Sequence, residues 1–263
     1  MTARRWGRVA TAAASGYAAG LLPSADVAAR IASGGEVDLR EHGSGNPGGA
    51  NATAVLGARW GYAVIAADIA KGALAARIGR RIAGDTGQHV AAVASVVGHC
   101  YPLTKQFRGG KGVGCSVGQC LATFPAYVPA DLAVAALVAA GPWKQRAFAA
   151  TATSSVVWVA AATLWWRRGW PNAWGGTPTV GLPIAAAVSS AVVVQRFLAG
   201  RSDSQEEHTM RIELQYFEGC PHWQTADERL RHVAADRGLT VDHRLIATPA
   251  EAEAADSAAR PRS

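Results

Sequence analysis

The chain has 263 residues, 49% of them hydrophobic, with 26 Lys and Arg against 19 Asp and Glu. Residues 1–200 carry 18 basic and 7 acidic side chains, whereas residues 201–263 carry 8 and 12. This reversal of sign points to two parts with different surroundings. The basic part alternates apolar runs with short polar loops, and about 20 apolar residues suffice for a helix to cross a bilayer. Its charge therefore reads as membrane orientation and anionic ligands, and no aromatic-rich RNA motif or DNA-reading helix supports a nucleic-acid role. Cys100, Cys115, Cys120 and Cys220 form no C-x-x-C pair. That excludes zinc-ribbon spacing and a secreted disulfide framework, and no metal or cofactor is expected.

In chain order, residues 9–31 form an Ala-rich first span with Asp26 near its end. It begins like a signal peptide but shows no convincing cleavage site before Pro23, so it is expected to stay. Residues 33–51 form a Gly-rich loop. Residues 53–78 are apolar except for Arg59, Asp68 and Lys71, and the last two lie three apart on one helix face. Charges inside a span are costly and face each other or a polar cavity. The pair is either a structural ion pair or part of a site. Residues 90–103 make the next span. Residues 113–124 and 132–141 follow as two short helices or one broken one, interrupted by Pro125, Pro129 and Asp131. Residues 148–166 end in Trp-Trp-Arg-Arg, an aromatic and basic anchor, and 179–198 close at Gln195-Arg196.

The expected fold is an all-α integral membrane bundle of five to seven transmembrane helices over residues 1–200. Beyond it come a linker at 201–210, a small C-terminal βαβ fragment at 211–248, and a disordered tail at 249–263. The strand-like runs 211–217 and 240–246 flank a helical pattern at 224–237.

The chemistry concentrates in residues 98–114, GHCYPLTKQFRGGKGVG, between two apolar runs. Gly109, Gly110 and Gly112 let backbone N–H groups turn to one point, and Lys105, Arg108 and Lys111 surround it with positive charge. Such an arrangement is an anion site, most often for phosphate. A plain basic loop at the membrane surface has the same composition.

Two loops together resemble one family. GSGNPGGAN at 43–51 is similar to the GSGNPGATN signature of bacterial acylphosphate:glycerol-3-phosphate acyltransferases. Residues 98–112 are similar to the GHxxPxxxxFxGGKG signature through His99, Pro102, Phe107, Gly109, Gly110, Lys111 and Gly112. Pro23-Ser24, Asp38-Leu39-Arg40 and the Asp68/Lys71 pair also match, so the resemblance covers about residues 8–200. It implies seven transmembrane helices in the cell membrane, a site on the cytoplasmic side, and acyl transfer from acyl phosphate to the 1-hydroxyl of glycerol 3-phosphate. The product is lysophosphatidic acid, for phospholipid synthesis. On that resemblance Ser44, Asn46, His99 and Lys111 are the catalytic candidates. Gly43, Gly45, Gly48, Asn51, Lys71, Arg108, Gly109, Gly110, Gly112, Ser154 and Arg196 are the substrate- or phosphate-binding ones. Ser155 is an alternative to Ser154, and His99 equally suits a hydrogen bond that fixes the loop.

The chain departs from the family's pattern in two places. Ala54 stands where the family has Arg. In the third signature, Ser190, Val193 and Ser202 stand where it has His, Asn and Glu. The alternative implied is a catalytically degenerate protein of the same fold that binds acyl phosphate or lipid. The tail's YFEGCPHW resembles the start of thioredoxin-like proteins, but Trp223 occupies the position of a second Cys. A membrane-tethered redox or interaction module built on Cys220 is the third reading.

Overall fold

The computed structural model describes residues 3–143, 145–207, 212–236, 239, 241–248 and 251. They divide into two compact units, residues 1–199 and 200–263.

Small residues decide which helices of the first unit touch. In α1 (Ala3–Gly20) the run GYAAG puts Gly16 and Gly20 on one face. A Cβ at Gly16 would sit 2.2 Å from the Ala91 carbonyl oxygen, and one at Gly20 2.3 Å from that of Ser95. Backbone therefore lies directly on backbone between α1 and α4 (Ala58–Cys100). Lipid offers little hydrophobic drive for helix association, so close approach through small residues is the usual substitute. Gly118 of α5 (Val113–Thr123) meets the Ile69 carbonyl of α4 in the same way.

α4 bends at Ala83 and Gly84, where Gly84 takes a φ of +64°. The bend folds it into a hairpin whose arms meet at Gly79 and Gly87. The expected spans 53–78 and 90–103 are the two arms, with displaced ends. Gly57, at φ +93°, separates a short α3 (Gly49–Leu56) from the first arm, and the second arm stops at Cys100 ahead of Pro102. The first expected span is also divided. α1 ends at Gly20 and α2 (Ser24–Ser33) starts after Pro23, which has no N–H and disfavours helix in the residue before it.

α6 (Val128–Ala139), α7 (Arg146–Arg168) and α8 (Gly181–Glu207) complete this part. Residues 113–141 are thus two helices. Phe124, Tyr127, Trp158, Ala162, Leu182 and Ala186 form one core cluster, and Val96, Cys100, Cys115, Val193 and Phe197 another. Among the described residues, Arg146–Arg168 and Gly181–Gly200 are the helices long and apolar enough to cross a membrane. Hydrogen bonds tie the helix ends together. Arg8 reaches Ile82, while Asn172 and Trp174 reach Thr123 and Leu121, at one end. Tyr17 reaches Tyr101, and Arg196 reaches Gly109 and Gly110, at the other.

α8 continues through Glu207, where a linker was expected, and residues 208–210 lie outside the described residues. In the second unit, β1 (Ile212–Tyr216) and β2 (Val241–Leu245) pair in parallel, Ile212 opposite Val241. α9 (Trp223–Asp236) connects them, and Tyr216 stacks on Trp223. Cys220 lies in the turn before α9, its N–H donating to the Phe217 carbonyl. Of the expected tail, only Glu251 falls within the described residues.

Candidate functional site

The first Gly-rich loop, residues 34–48, is braced from within by Asn51. Buried at the start of α3, Asn51 accepts the Ser44 N–H through Oδ1 at 2.8 Å. Its amide donates to the Leu39 and His42 carbonyls, each at 2.9 Å. Gly43, at φ +64°, leaves no space for a side chain, since a Cβ would lie 2.2 Å from Asn51 Oδ1. With these bonds made, Asn51 shapes the loop. Arg40 links this loop to the second: its Nε donates to the Arg108 carbonyl at 3.1 Å, and it pairs with Asp26 at 2.7 Å. Lys105 reaches the same Asp26 carboxylate at 3.0 Å. Burial pushes the Asp26 carboxyl upward, but the hydrogen bonds and charges of Arg40 and Lys105 prevail, holding it below the ordinary value of 3.8.

The second loop, residues 101–112, turns through Gln106 and Phe107, both non-glycine residues with positive φ, +52° and +63°. Each such conformation costs roughly 1–2 kcal/mol, so the surrounding contacts must hold it. Arg196 supplies part of that hold. It donates to the Gly109 and Gly110 carbonyls at 2.9 and 3.3 Å and lies over the Tyr101 ring. Gly109 and Gly110 press onto His99. A Cβ at Gly109 would be 2.1 Å from the His99 carbonyl, and one at Gly110 2.2 Å from its Nε2. Lys111, half-buried, sits over the Phe197 ring at 4.5 Å. Burial, then the neighbouring Arg196 charge, moves its ammonium below the ordinary lysine value. An anion placed there would offset both effects.

Beneath the loops lies a buried polar cluster. Lys71 Nζ is 2.8 Å from Asp68 Oδ1 and donates to the Leu22 carbonyl at 3.0 Å. Ser24 also donates to Asp68, and His99 Nδ1 stands 3.6 Å from it. Asp68, His99 and Cys115 offer three potential metal-ligand atoms within 4.8 Å of one another. The Lys71 ammonium already occupies the shared carboxylate and competes with any cation there.

A cleft opens above this cluster, lined by Ser24, Asp26, Arg40, Pro47, Lys71, His99, Lys105, Gly109 and Gly110. An apolar groove of about 340 Å³ adjoins it, walled by Val27, Ile31, Trp60, Ala63, Val64 and Ala67. Leu22, Pro23, Ser24 and Lys71 line both. Cations and backbone turns at one end of an apolar groove are the chemistry that a phosphate-bearing amphiphile would require.

Of the residues expected from sequence, Lys71, His99, Gly109 and Gly110 meet at the cleft. Gly43, Ser44, Gly45, Asn46 and Gly48 form the loop beside it, around Pro47. Lys111 and Gly112 lie on the α8 flank of the second loop, and the Arg108 side chain is exposed. Ser154 stands elsewhere, bonded to Asp131 in a cavity between α5, α6, α7 and α8. Sequence reasoning passed over Asp26 and Arg40 as site residues and gave Lys105 only a general charge. The Pro23-Ser24 and Asp38-Leu39-Arg40 motifs were the signal available for them.

The glycerol-3-phosphate acyltransferase family matches over residues 10–200. The glycerol-3-phosphate acyltransferase of Bacillus velezensis is 44% identical over 102 residues, 39% of this chain and 52% of that protein. That of Thermoanaerobacter pseudethanolicus is 42% identical over 90 residues, 34% of this chain and 46% of that protein. The chain spans about half the length of the curated relatives it matches. Two crystal structures of PlsY (YgiH), an integral membrane glycerol 3-phosphate acyltransferase, superpose on it. Its glycerol 3-phosphate form gives a TM-score of 0.59 at 28% identity, covering 77% of this chain and 96% of that one. Its lysophosphatidic acid form gives 0.60 at 25% identity, covering 78% and 95%. The chain belongs to the glycerol-3-phosphate acyltransferase family.

Proposed function

We propose that this chain transfers an acyl group from acyl phosphate to the 1-hydroxyl of glycerol 3-phosphate, giving lysophosphatidic acid for phospholipid synthesis. One observation carries the proposal: the cationic cleft and the apolar groove share Leu22, Pro23, Ser24 and Lys71. An acyl phosphate can then lay its chain along Val27, Ile31 and Trp60 with its phosphate at Arg40 and Lys105. Acyl phosphate is already activated. The acceptor hydroxyl attacks the acyl carbon, the bond from that carbon to the bridging phosphate oxygen breaks, and the departing phosphate takes the proton. No Ser or Cys nucleophile is required, and the protein's part is positioning and charge stabilisation.

On this reading Lys111 and the backbone of Gly109, Gly110 and Gly112 counter phosphate charge, and Ser44 and Asn46 hydrogen-bond substrate oxygens. His99, Lys71, Asn51 and Arg196 hold the loops in place. Seven segments cross the cell membrane: α1, the two arms of α4, α5, α6, α7 and α8. Two crossings separate the two loops, so they share a side, which the family resemblance makes cytoplasmic. The second unit is a thioredoxin-like fragment without a C-x-x-C pair.

One observation favours a second reading, a binder that has lost catalysis. Val193 is packed among Val96, Cys100, Cys115 and Phe197, so the family's Asn position has become apolar core. Assay of the purified full chain in bilayer nanodiscs, with acyl phosphate and glycerol 3-phosphate, decides between them. Formation of lysophosphatidic acid supports the enzyme. Tight acyl phosphate binding without product supports the binder.

A further inference from the structure

We propose that the groove between α1, the second arm of α4 and the start of α8 holds one anionic phospholipid of the surrounding bilayer. Its head group would sit at Arg5 and His89, with two acyl chains laid along the helices. The groove measures about 1150 Å³ and shares no lining residue with the cleft or with the groove beside it. That neighbouring groove measures about 340 Å³. Where the smaller one takes a single chain, the larger has room for two.

Polarity gathers at one end of this groove. Arg5, Asp85, Thr86, His89 and Thr179 line its mouth, beside the bend of α4 at Ala83 and Gly84. Away from the mouth the walls are Ala13, Ala14, Val90, Val93, Ala94 and Ile184. Val97 lines the far end. From Asp85 to Val97 the helix advances about 18 Å at 1.5 Å per residue. One leaflet contributes about 15 Å of a hydrocarbon core of about 30 Å. A lipid standing in the groove therefore has its head at the interface and its chain ends near the bilayer midplane.

Charge at the mouth selects the head group. Arg5 has no ion-pair partner among the described residues. At the same bend, Arg8 donates to the Ile82 carbonyl and Arg80 stands 3.8 Å from Asp85. Three guanidinium groups thus face one carboxylate, and the excess of positive charge complements a phosphodiester. His89 adds direction. A Cβ at Gly181 would lie 2.7 Å from His89 Cδ2, so that edge of the ring packs on α8. Nδ1 is buried and has no hydrogen-bond partner among the described residues. A head-group oxygen can satisfy it, and an apolar side chain from another helix cannot. The mouth lies at the end of the bundle where Arg8 meets Ile82, away from the end where Tyr17 meets Tyr101 ahead of the second loop. The lipid accordingly belongs to the leaflet opposite the two Gly-rich loops.

The test uses the full chain in detergent, loaded with equal amounts of phosphatidylglycerol and phosphatidylcholine, and counts retained lipid by native mass spectrometry. We expect one lipid per chain, with phosphatidylglycerol at least fivefold favoured. Arg5→Gln and His89→Leu should each bring that preference to within about twofold. Ala94→Trp, which fills the groove, should abolish retention of both lipids, and Ala14→Leu is the smaller change should Ala94→Trp misfold. A phosphatidylglycerol carrying a photoreactive acyl chain should label α1, the second arm of α4 and the start of α8. Retention without head-group preference, or retention and labelling that survive Ala94→Trp, overturns the proposal. Displacement by equal acyl phosphate or lysophosphatidic acid would put the groove on the reaction path and overturns it too. So does a dimer that Ala94→Trp dissociates, because a second copy would then be the occupant. The result is independent of the acyl-transfer reading: selective retention in a protein that transfers no acyl group still supports the groove.

Discussion

In the cleft under the two loops, Asp68, Lys71 and Arg40 all have their charges matched, and His99 stands against Asp68. In the cavity between α5 and α8, Ser190 and Trp158 keep buried polar atoms that no protein group satisfies. The two regions share no lining residue, and they treat polarity in opposite ways. A cleft whose charges are already paired is rigid before substrate arrives, and an anion entering it must take the place of Asp26. A cavity with unsatisfied groups is completed by what enters it. Preorganised charge suits the group on which charge develops during transfer. Unmet hydrogen bonds suit discrimination, because a ligand lacking the right groups leaves them unmet.

The contrast is tested most severely at Asp68. Asp68→Ala would strand the Lys71 ammonium, itself 4% exposed, away from water. Breaking one side of such a buried pair costs about 3–5 kcal/mol. Thermal unfolding in detergent should register that loss, and adding Lys71→Met should recover much of it. An unchanged unfolding temperature in the single variant would mean that Lys71 reaches water and that the cluster is not a buried foundation.

Next in size is the chemistry itself. Lys111→Ala and Ser44→Ala should each lower acyl transfer by about 10²-fold, the usual effect of removing one preorganised stabilising group. Insertion into the membrane should be unaffected. Near-normal turnover in either variant would remove that residue from the site.

Asp26 gives a gain rather than a loss. Asp26→Asn frees Arg40 and Lys105 from their internal anion, so phosphate affinity should rise about tenfold, roughly 1.4 kcal/mol. The sign of the pH effect follows from its lowered pKa. The ion pairs contribute fully above the ordinary value of 3.8 and are lost as pH falls through the lowered one. Hydrogen exchange in residues 34–48 and 101–112 should accelerate over that acid range in the wild type, and much less in Asp26→Asn. Weaker phosphate binding in Asp26→Asn would mean that the carboxylate positions the cations instead of standing in for a ligand.

The loops were legible in the sequence because their chemistry is local. GSGNPGGAN and GGKG declare tight turns and cations within a few residues, and these loops do meet. What sequence did not disclose is which groups face ligand and which hold the fold. Asn51 and Arg196 are polar and sit in or beside the motifs, yet their hydrogen bonds go to loop carbonyls and an N–H. Nothing in the spacing distinguishes those two uses. The helix ends were misplaced for a related reason. Hydropathy marks apolar length, but the breaks at Pro23, Gly57 and Gly84 are set by single backbone torsions. Asp131 was noticed only as an interruption between helices. Its meeting with Ser154 joins residues 23 apart, on different helices.

The smallest expected effect concerns residues 208–263. Both polar regions lie within residues 1–199, the first compact unit. Among its described residues, the second unit contributes two five-residue strands and the helix between them. Phe217, Val233 and Leu245 are each about half exposed or more. So little secondary structure buries too little apolar surface to be strongly stable by itself. Cys220 has Trp223 three residues on, so no disulfide can form within that turn. Deletion should therefore start after Glu207, where α8 ends, so that the helix carrying Ser190, Val193 and Arg196 stays whole. Acyl transfer and both KM values should stay within about twofold of the full chain, measured at equal amounts of inserted protein. A larger fall in turnover, with insertion intact, would show that the tail takes part in the reaction. A fall in insertion alone would assign it to assembly, leaving the contrast between cleft and cavity as the account of catalysis.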